Sequence, residues 1–341
     1  MPDSLAQTVD ETPAPEGQTA SRHGPEELSV SVVICAYTED RWEELERAVG
    51  SAQNQTVCPR EVVVVVDHSA ALLERARRKL AGVEVVPNTQ RPGLAGARNS
   101  GIQATSAAVV AFLDDDATAD PGWLAELRRG YETQSVLGVG GRIDPEWHRQ
   151  RPSWFPDEFK WVVGCTYRGV PVAAASVRNM IGANMSARRT VIDAVGGFRE
   201  QLGRLEETDF CIRGQELFPE GKWMYWPSAQ VTHAVTPERC TWSYFKARCY
   251  NEGVAKARMV MLTSRQAGLA SERSYTLKVL PIGMVREFAR IGRFDFSGSR
   301  KAAAIAVGLA YTTAGYARMW LTLRRTRAGR EVDIPRRGGT P

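Results

Sequence analysis

The six cysteines (Cys35, Cys58, Cys165, Cys211, Cys240 and Cys249) form no C-x-x-C pair and lie scattered through 341 residues. That spacing speaks against a structural zinc site, and several of the thiols sit in apolar segments as small hydrophobes. Charge of one sign is not in excess either. The net charge is +5, and no zinc-finger, RNP-like or basic-helix pattern accompanies it, so no nucleic-acid partner is expected. A secretory signal is absent from the polar, proline-bearing N-terminus, which makes a reducing cytoplasm the expected compartment. No internal repeat is visible. Nor does any stretch satisfy a membrane span. Residues 302–323 reach the required length of about 20, but Arg318 lies inside them and threonine, glycine and alanine dilute them. A surface or amphipathic helix is expected there.

What is present begins with alternation. Residues 1–28 carry Pro2, Pro13, Pro15 and Pro25 and almost no large apolar side chains, and are expected to be disordered. Then come Val30–Ala36, a helix through Trp42, Leu45, Ala48, Val49 and Ala52, the valine-rich Glu61–Val66 ending at Asp67, a helix through Leu72, Leu73, Ala76 and Leu80, and a short strand at Val83–Val86. Pro92 to Gly101 forms a glycine-bearing turn opening a helix. Solidly apolar strands between amphipathic helices mark an α/β fold with a mostly parallel sheet covered on both faces.

One stretch stands out. The apolar run Ala107–Leu113 drives into Asp114-Asp115-Asp116, after which Ala117, Asp120, Pro121 and Gly122 turn the chain away. Three carboxylates at the end of a buried strand cost several kcal/mol each unless partnered. They read either as an acidic turn or as a site for a hard divalent cation that holds phosphates. Residues 144–176 are rich in rings (Trp147, Trp154, Phe155, Phe159, Trp161, Tyr167), which suits a packed cover and a binding wall equally. A strand is expected over 177–187 and a helix near Val191–Val195 stopping at Gly196-Gly197. Glu206-Glu207-Thr208-Asp209 then opens another helix, where acids also serve simply as N-terminal caps. Tyr225–His233 reads as a last short strand, and helices are expected over most of 241–323.

Taken in order, these motifs resemble glycosyltransferase family 2, the inverting enzymes of GT-A fold that use nucleotide sugars. The matching pieces are Val33-Ile34-Cys35-Ala36-Tyr37, the strand ending at Asp67, the G-x-x-x-A-R-N-x-G of Gly93–Gly101, Asp114-Asp115-Asp116 as the D-x-D, Gly182-Ala183-Asn184-Met185, and Gly196-Gly197-Phe198. Glu206-Glu207-Thr208-Asp209 stands where the family has E-D-x-D. Two departures are His68-Ser69 after Asp67, and Glu207 in place of an aspartate. The aromatic insert and Cys240–Ala257 resemble an actinobacterial and haloarchaeal branch that adds glucuronic acid or hexoses to lipid-linked sugars.

The resemblance implies a GT-A domain over 29–263 (a nucleotide-binding half, 29–120, and an acceptor half, 121–263), a helical extension over 264–323 and a basic tail over 324–341. It implies Mg²⁺ or Mn²⁺ as cofactor, with Asp116 as ligand and Asp114 on the ribose or on a water of the metal. His233 is a candidate second ligand, against a purely structural role. Asp67 would accept the N3–H of uracil, with Ala36, Tyr37 and Glu39 lining the base. Arg98 would meet phosphate, or form a plain salt bridge. Asp115 completes the nucleotide-sugar set by sequence, although strand alternation turns it away. Glu207 is the candidate general base and Glu206 its neighbour in the catalytic pair. Trp154, Asn184 and Asp209 are candidate sugar or acceptor contacts.

The implied donor is a UDP-hexose or UDP-glucuronic acid, and the acceptor a lipid-linked sugar or polysaccharide precursor; a small natural product is the alternative acceptor. The apolar helix and the arginines that follow it, 302–337, are a candidate peripheral contact with the inner face of the plasma membrane. A nucleotidylyltransferase would need a glycine-rich basic loop after the first strand, where Ala36-Tyr37-Thr38-Glu39 stands. A non-catalytic sugar-nucleotide scaffold would be expected to have lost one acidic motif, and both are present.

Overall fold

A computed structural model describes residues 28–202, 205–262, 275–291 and 297–331. The segment 1–27, expected to be disordered, and the tail beyond 331 lie outside the described residues. The first half follows the alternation. Strands β1 (Val30–Ala36), β2 (Glu61–Val66), β3 (Glu84–Pro87) and β4 (Val109–Asp114) pair in parallel in the order β3-β2-β1-β4. Helices α1 (Trp42–Gln53), α2 (Ala70–Lys79) and α3 (Leu94–Gln103) cross over between them. β1, β2 and β4 are buried on both faces, which is why their sequences run apolar without alternation.

Beyond Asp114 the parallel pattern breaks. The elements are β5 (Ala117–Ala119), α4 (Trp123–Arg129), β6 (Val136–Trp147), a 3₁₀ segment at Asp157–Val163, β7 (Ala175–Val177), β8 (Asn184–Arg188), α5 (Arg189–Val195), α6 (Glu206–Leu217) and β9 (Lys222–Val235). β8 enters antiparallel between β4 and β6, and β9 lies parallel to β6, giving β3-β2-β1-β4-β8-β6-β9-β5 with β7 on β9.

Three expectations are corrected here. The strand expected over 177–187 is two strands, β7 and β8, separated by a loop that wraps the Arg98 side chain; Gly182 lies against that guanidinium where a Cβ would not fit. β9 is longer than Tyr225–His233, and its register against β6 slips between Gly141 and Arg142. Pro227 falls in the slip, and it has no N–H to give the ladder. Finally, Ala117–Ala119 is not merely a turn but a strand whose Ala117 pairs with His233.

α7 (Trp242–Leu262) is followed by α8 (Leu280–Ile291), entered through a π-helical turn at Tyr275–Val279, and by α9 (Ser297–Glu331), which outruns the expected 302–323 at both ends. α7 and α9 touch backbone to backbone, because Gly253 faces Thr312 and Gly315 faces Tyr250 with no room for a Cβ. Aromatic packing ties α7 to the stretch after β6: Trp154 stacks on Trp242 at 4.1 Å, and Phe155 and Phe159 meet Phe245 at 5.7 and 5.4 Å. The sheet, its flanking helices and the helical extension make up the expected GT-A architecture. No described helix is long and apolar enough to cross a membrane.

Candidate active site

A cavity of about 900 Å³ opens along the carboxyl edge of β4, large enough for a drug-sized or larger ligand. Its walls include the turn into α3, the 3₁₀ segment and the loop after it, the loop before β8, the N-terminus of α6, and one face of α7. Asp114, Arg98, His233, Glu206 and Glu207 all line it.

β4 ends at Asp114, so Asp115 and Asp116 form a tight turn into β5 and no longer follow strand alternation. The three carboxylates part company there. Asp114 faces the cavity and lies 3.5 Å from Arg98 Nη2. Asp115 is buried and accepts from Arg41 Nη1 at 3.0 Å, outside the cavity lining. Asp116 is buried behind the cavity wall, its Oδ1 3.0 Å from His233 Nε2 and its Oδ2 3.0 Å from Arg239 Nη2 and 3.1 Å from Arg41 Nη1. Burial alone would raise the Asp116 carboxyl, but His233, Arg239 and Arg41 outweigh it and hold it well below the usual carboxylate range. Asp115 goes the other way, pushed up to about 7 by burial and by the Asp116 charge. His233 would be lowered by its burial, yet the adjacent Asp116 raises it to about 10.

Asp114, Asp116 and His233 each offer a donor atom within 4.8 Å of the others. Two carboxylates and an imidazole form an oxygen-rich set that suits Mg²⁺ or Mn²⁺, and the buried, multiply paired Asp116 stays ionised for such a role. The donor set fits a divalent cation.

The second acidic motif sits across the cavity. α6 begins at Glu206, and the helix N-terminus favours its first-turn acids. Arg98, 2% exposed, spans the gap between motifs, 3.4 Å from Glu206 Oε1 and 3.5 Å from Asp114 Oδ1. Its guanidinium also lies over the rings of Phe112 and Phe198. Glu207 is half-buried and lines the cavity. Burial first, and then the charge of Glu206, raise its carboxyl to about 8 against the pull of Arg98.

Asp67 lies at the end of β2, outside the cavity lining. It accepts from Asn88 Nδ2 at 2.7 Å, Gly93 N at 2.8 Å and His68 Nδ1 at 2.8 Å, and so fixes the loop leading to α3. Those bonds outweigh burial and lower its carboxyl. Ala36 is buried, while Tyr37 is exposed beneath Arg41 and Glu39 pairs with Arg75 at 3.2 Å. None of these three lines the cavity.

Trp154, Asn184 and Asp209 are not at the cavity surface. Trp154 is held in the ring cluster with Trp242, Phe155 and Phe245. Asn184 is fully buried: its Oδ1 takes the Trp123 indole, and its Nδ2 donates to the carbonyls of Arg142 and Ala229, each at 2.9 Å or less. Asp209 is fully buried between Arg213 at 2.7 Å and Arg199 at 3.2 Å. The polar groups of Asn184 and Asp209 are thus engaged within the fold.

Sequence reading missed Arg41 and Arg239, which reach the aspartates from 74 and 123 residues away. It also missed the face of α7. Tyr244, Arg248, Glu252 and Lys256 recur every four residues and all line the cavity. That period was available in the sequence. Arg248 donates to the Val162 carbonyl at 3.4 Å, and its Nη1 has no hydrogen-bond partner among the described residues.

Comparison with known proteins adds the lineage. The family model described as glycosyl transferase family 2 matches residues 31–196. A glucosyl-dolichyl phosphate glucuronosyltransferase of Haloferax volcanii is 34% identical over 246 residues, covering 69% of this chain and 78% of that protein. A pre-mycofactocin glycosyltransferase of Mycobacterium tuberculosis is 30% identical over 66% of this chain, which spans 46% of that relative. A crystal structure of GalNAc-T7 with UDP, GalNAc and Mn²⁺ matches 68% of this chain and 48% of that one, at 21% identity and a TM-score of 0.49.

Proposed function

The chain belongs to glycosyl transferase family 2, and from that premise we propose that it moves a hexose or glucuronic acid from a UDP-sugar to a hydroxyl of a lipid-linked sugar, inverting the anomeric centre. One observation carries the reading: Asp114 and His233 line the same cavity as Glu207, and Arg98 bridges the two acidic motifs. The Haloferax relative, whose name pairs a glucuronosyl donor group with a glucosyl-dolichyl phosphate, supports the choice of donor and acceptor class.

Asp114, Asp116 and His233 would hold Mg²⁺ or Mn²⁺, which when bound neutralises the charge that builds on the departing diphosphate. Glu207 takes the proton of the acceptor hydroxyl as its oxygen bonds to the anomeric carbon. The bond from that carbon to the β-phosphate oxygen breaks on the opposite face, and UDP leaves. A positioned base of this kind is worth about 10²–10⁴-fold. Arg98, paired with Glu206, opposes the rise that burial and Glu206 impose on Glu207 and so helps set its basicity. Asp67, Ala36, Tyr37 and Glu39 form the edge that would receive the uracil. Arg239 and Arg248, both on the cavity wall, are placed for phosphate oxygens of donor or acceptor.

Purified protein incubated with UDP-glucose or UDP-glucuronic acid and Mn²⁺ is expected to release UDP slowly, and faster with a glucosylated polyprenyl phosphate. No release above an EDTA control with any UDP-sugar would overturn the proposal.

A further inference from the structure

α8 has two unlike faces. Leu280, Gly283 and Glu287 turn inward, and Arg286 reaches Glu158 of the 3₁₀ segment at 2.7 Å. On the other side Ile282, Val285 and Phe288 are 65%, 69% and 56% exposed, and Leu277 in the π-helical turn is 73% exposed. Spaced by three residues, Ile282, Val285 and Phe288 occupy about a third of the helix circumference, opposite the buried stripe. Scattered single apolar residues on a surface need no explanation, but a contiguous stripe of large ones marks a contact.

The surroundings identify the contact. Lys278 is exposed within the stripe, while Glu287, the acid of this stretch, is 4% exposed, turned inward and paired with Arg286 and Arg290. The outward face therefore combines bulky apolar side chains with the Lys278 ammonium and, among the described residues of this stretch, presents no exposed carboxylate. It also adjoins the cavity. Tyr275, at the start of the π-helical turn, lines the cavity and packs on Gly169, and Val172, three residues further along the same rim, is 97% exposed. Val170 and Pro171 line the mouth between them.

We propose that this face is a docking surface for an anionic phospholipid layer, with α8 lying in the headgroup plane and the cavity mouth at Tyr275 and Val172 opening toward the lipid. Apolar side chains of an interfacial helix enter the boundary between headgroups and acyl chains, and flanking cations add an attraction to anionic lipid. A hydroxyl on a lipid-linked sugar then reaches Glu207 while its anchor stays in the layer. α9 is less suited to this contact, since one of its faces is already spent on α7. The proposal extends the reading of a lipid-linked acceptor. Its vesicle-binding readout contains no donor or acceptor, so the two can fail separately.

The full chain is co-sedimented with vesicles of phosphatidylcholine containing phosphatidylglycerol, and with pure phosphatidylcholine, at low and high salt. The wild type is expected to pellet with the anionic vesicles, more weakly at high salt. The triple variant Ile282→Ser, Val285→Ser, Phe288→Ser is expected to lose about tenfold or more in partitioning, with donor hydrolysis in solution unchanged. Wild type that stays in the supernatant, or a triple variant that pellets equally well, overturns the proposal. Light scattering of the two proteins covers the remaining occupant: a wild-type dimer that becomes monomeric in the variant, without vesicle binding, makes the face a self-association surface instead.

Discussion

Two acidic motifs face one cavity, and the protein treats them in opposite ways. Around Asp116 it gathers Arg41, Arg239 and His233. Glu206 and Glu207 share Arg98, whose guanidinium also serves Asp114. The first arrangement keeps a buried carboxylate ionised. The second leaves a carboxyl so short of positive charge that burial and its neighbour lift Glu207 to about 8. Asp116 is held so as to keep its charge and Glu207 so as to gain and lose a proton, and sites that pair two carboxyls commonly divide labour this way. Both motifs read simply as acidic in sequence; the count of nearby cations separates them.

The largest expected effect falls on the proton-handling side. Glu207→Gln keeps shape and hydrogen-bonding capacity while removing the base, so turnover should fall about 10²–10⁴-fold. UDP affinity, read by calorimetry with Mn²⁺ present, should not change. A variant that keeps most of its activity would remove the base from Glu207. The next effect sharpens the contrast inside the same segment. Asp209, two residues on, is buried between two arginines rather than at the cavity. Asp209→Asn should therefore cost stability, about 3 kcal/mol for a broken buried pair, with the KM values for donor and acceptor unmoved. A denaturant titration matching wild type would count against it. Third, Asp116→Asn should weaken Mn²⁺-dependent UDP binding about 10–100-fold; unchanged affinity would break the assignment of that motif to the cation.

How much of this was legible in the sequence depends on how far apart in the chain the partners stand. β1, β2 and β4 were legible because each is an uninterrupted apolar run, and α1 because Trp42, Leu45, Ala48, Val49 and Ala52 keep helical period and are all buried. The acids were legible as motifs. Their charge states were not, since those depend on the pairing of Ala117 with His233 and on Arg239 crossing 123 residues. Ring count cannot distinguish a wall from a packed cluster, and Trp154 stacks on Trp242 in the ring cluster. The same insert does supply wall elsewhere, through Trp161 and Tyr167. The α7 face kept a clear four-residue period and was read merely as helix, because its chemistry depends on what lies opposite.

The smallest expected effect tests the comparison without any substrate. Glu207 ionises near 4.5 when exposed and near 8 in the fold, raised by burial and Glu206, with Glu252 of α7 adding to the rise and Arg98 opposing it. A folded-state value above the unfolded one means that the native protein holds this proton more tightly. Its contribution to stability is then complete below about pH 4.5 and is lost as pH climbs to 8. Glutamine cannot ionise, so Glu207→Gln avoids the loss. The gap in Tm between variant and wild type should be flat in acid, widen in favour of the variant between those two values, and level off above them. A Glu207→Gln gap that does not move with pH would mean that Glu207 is an ordinary surface-like acid. The two motifs would then differ in position alone.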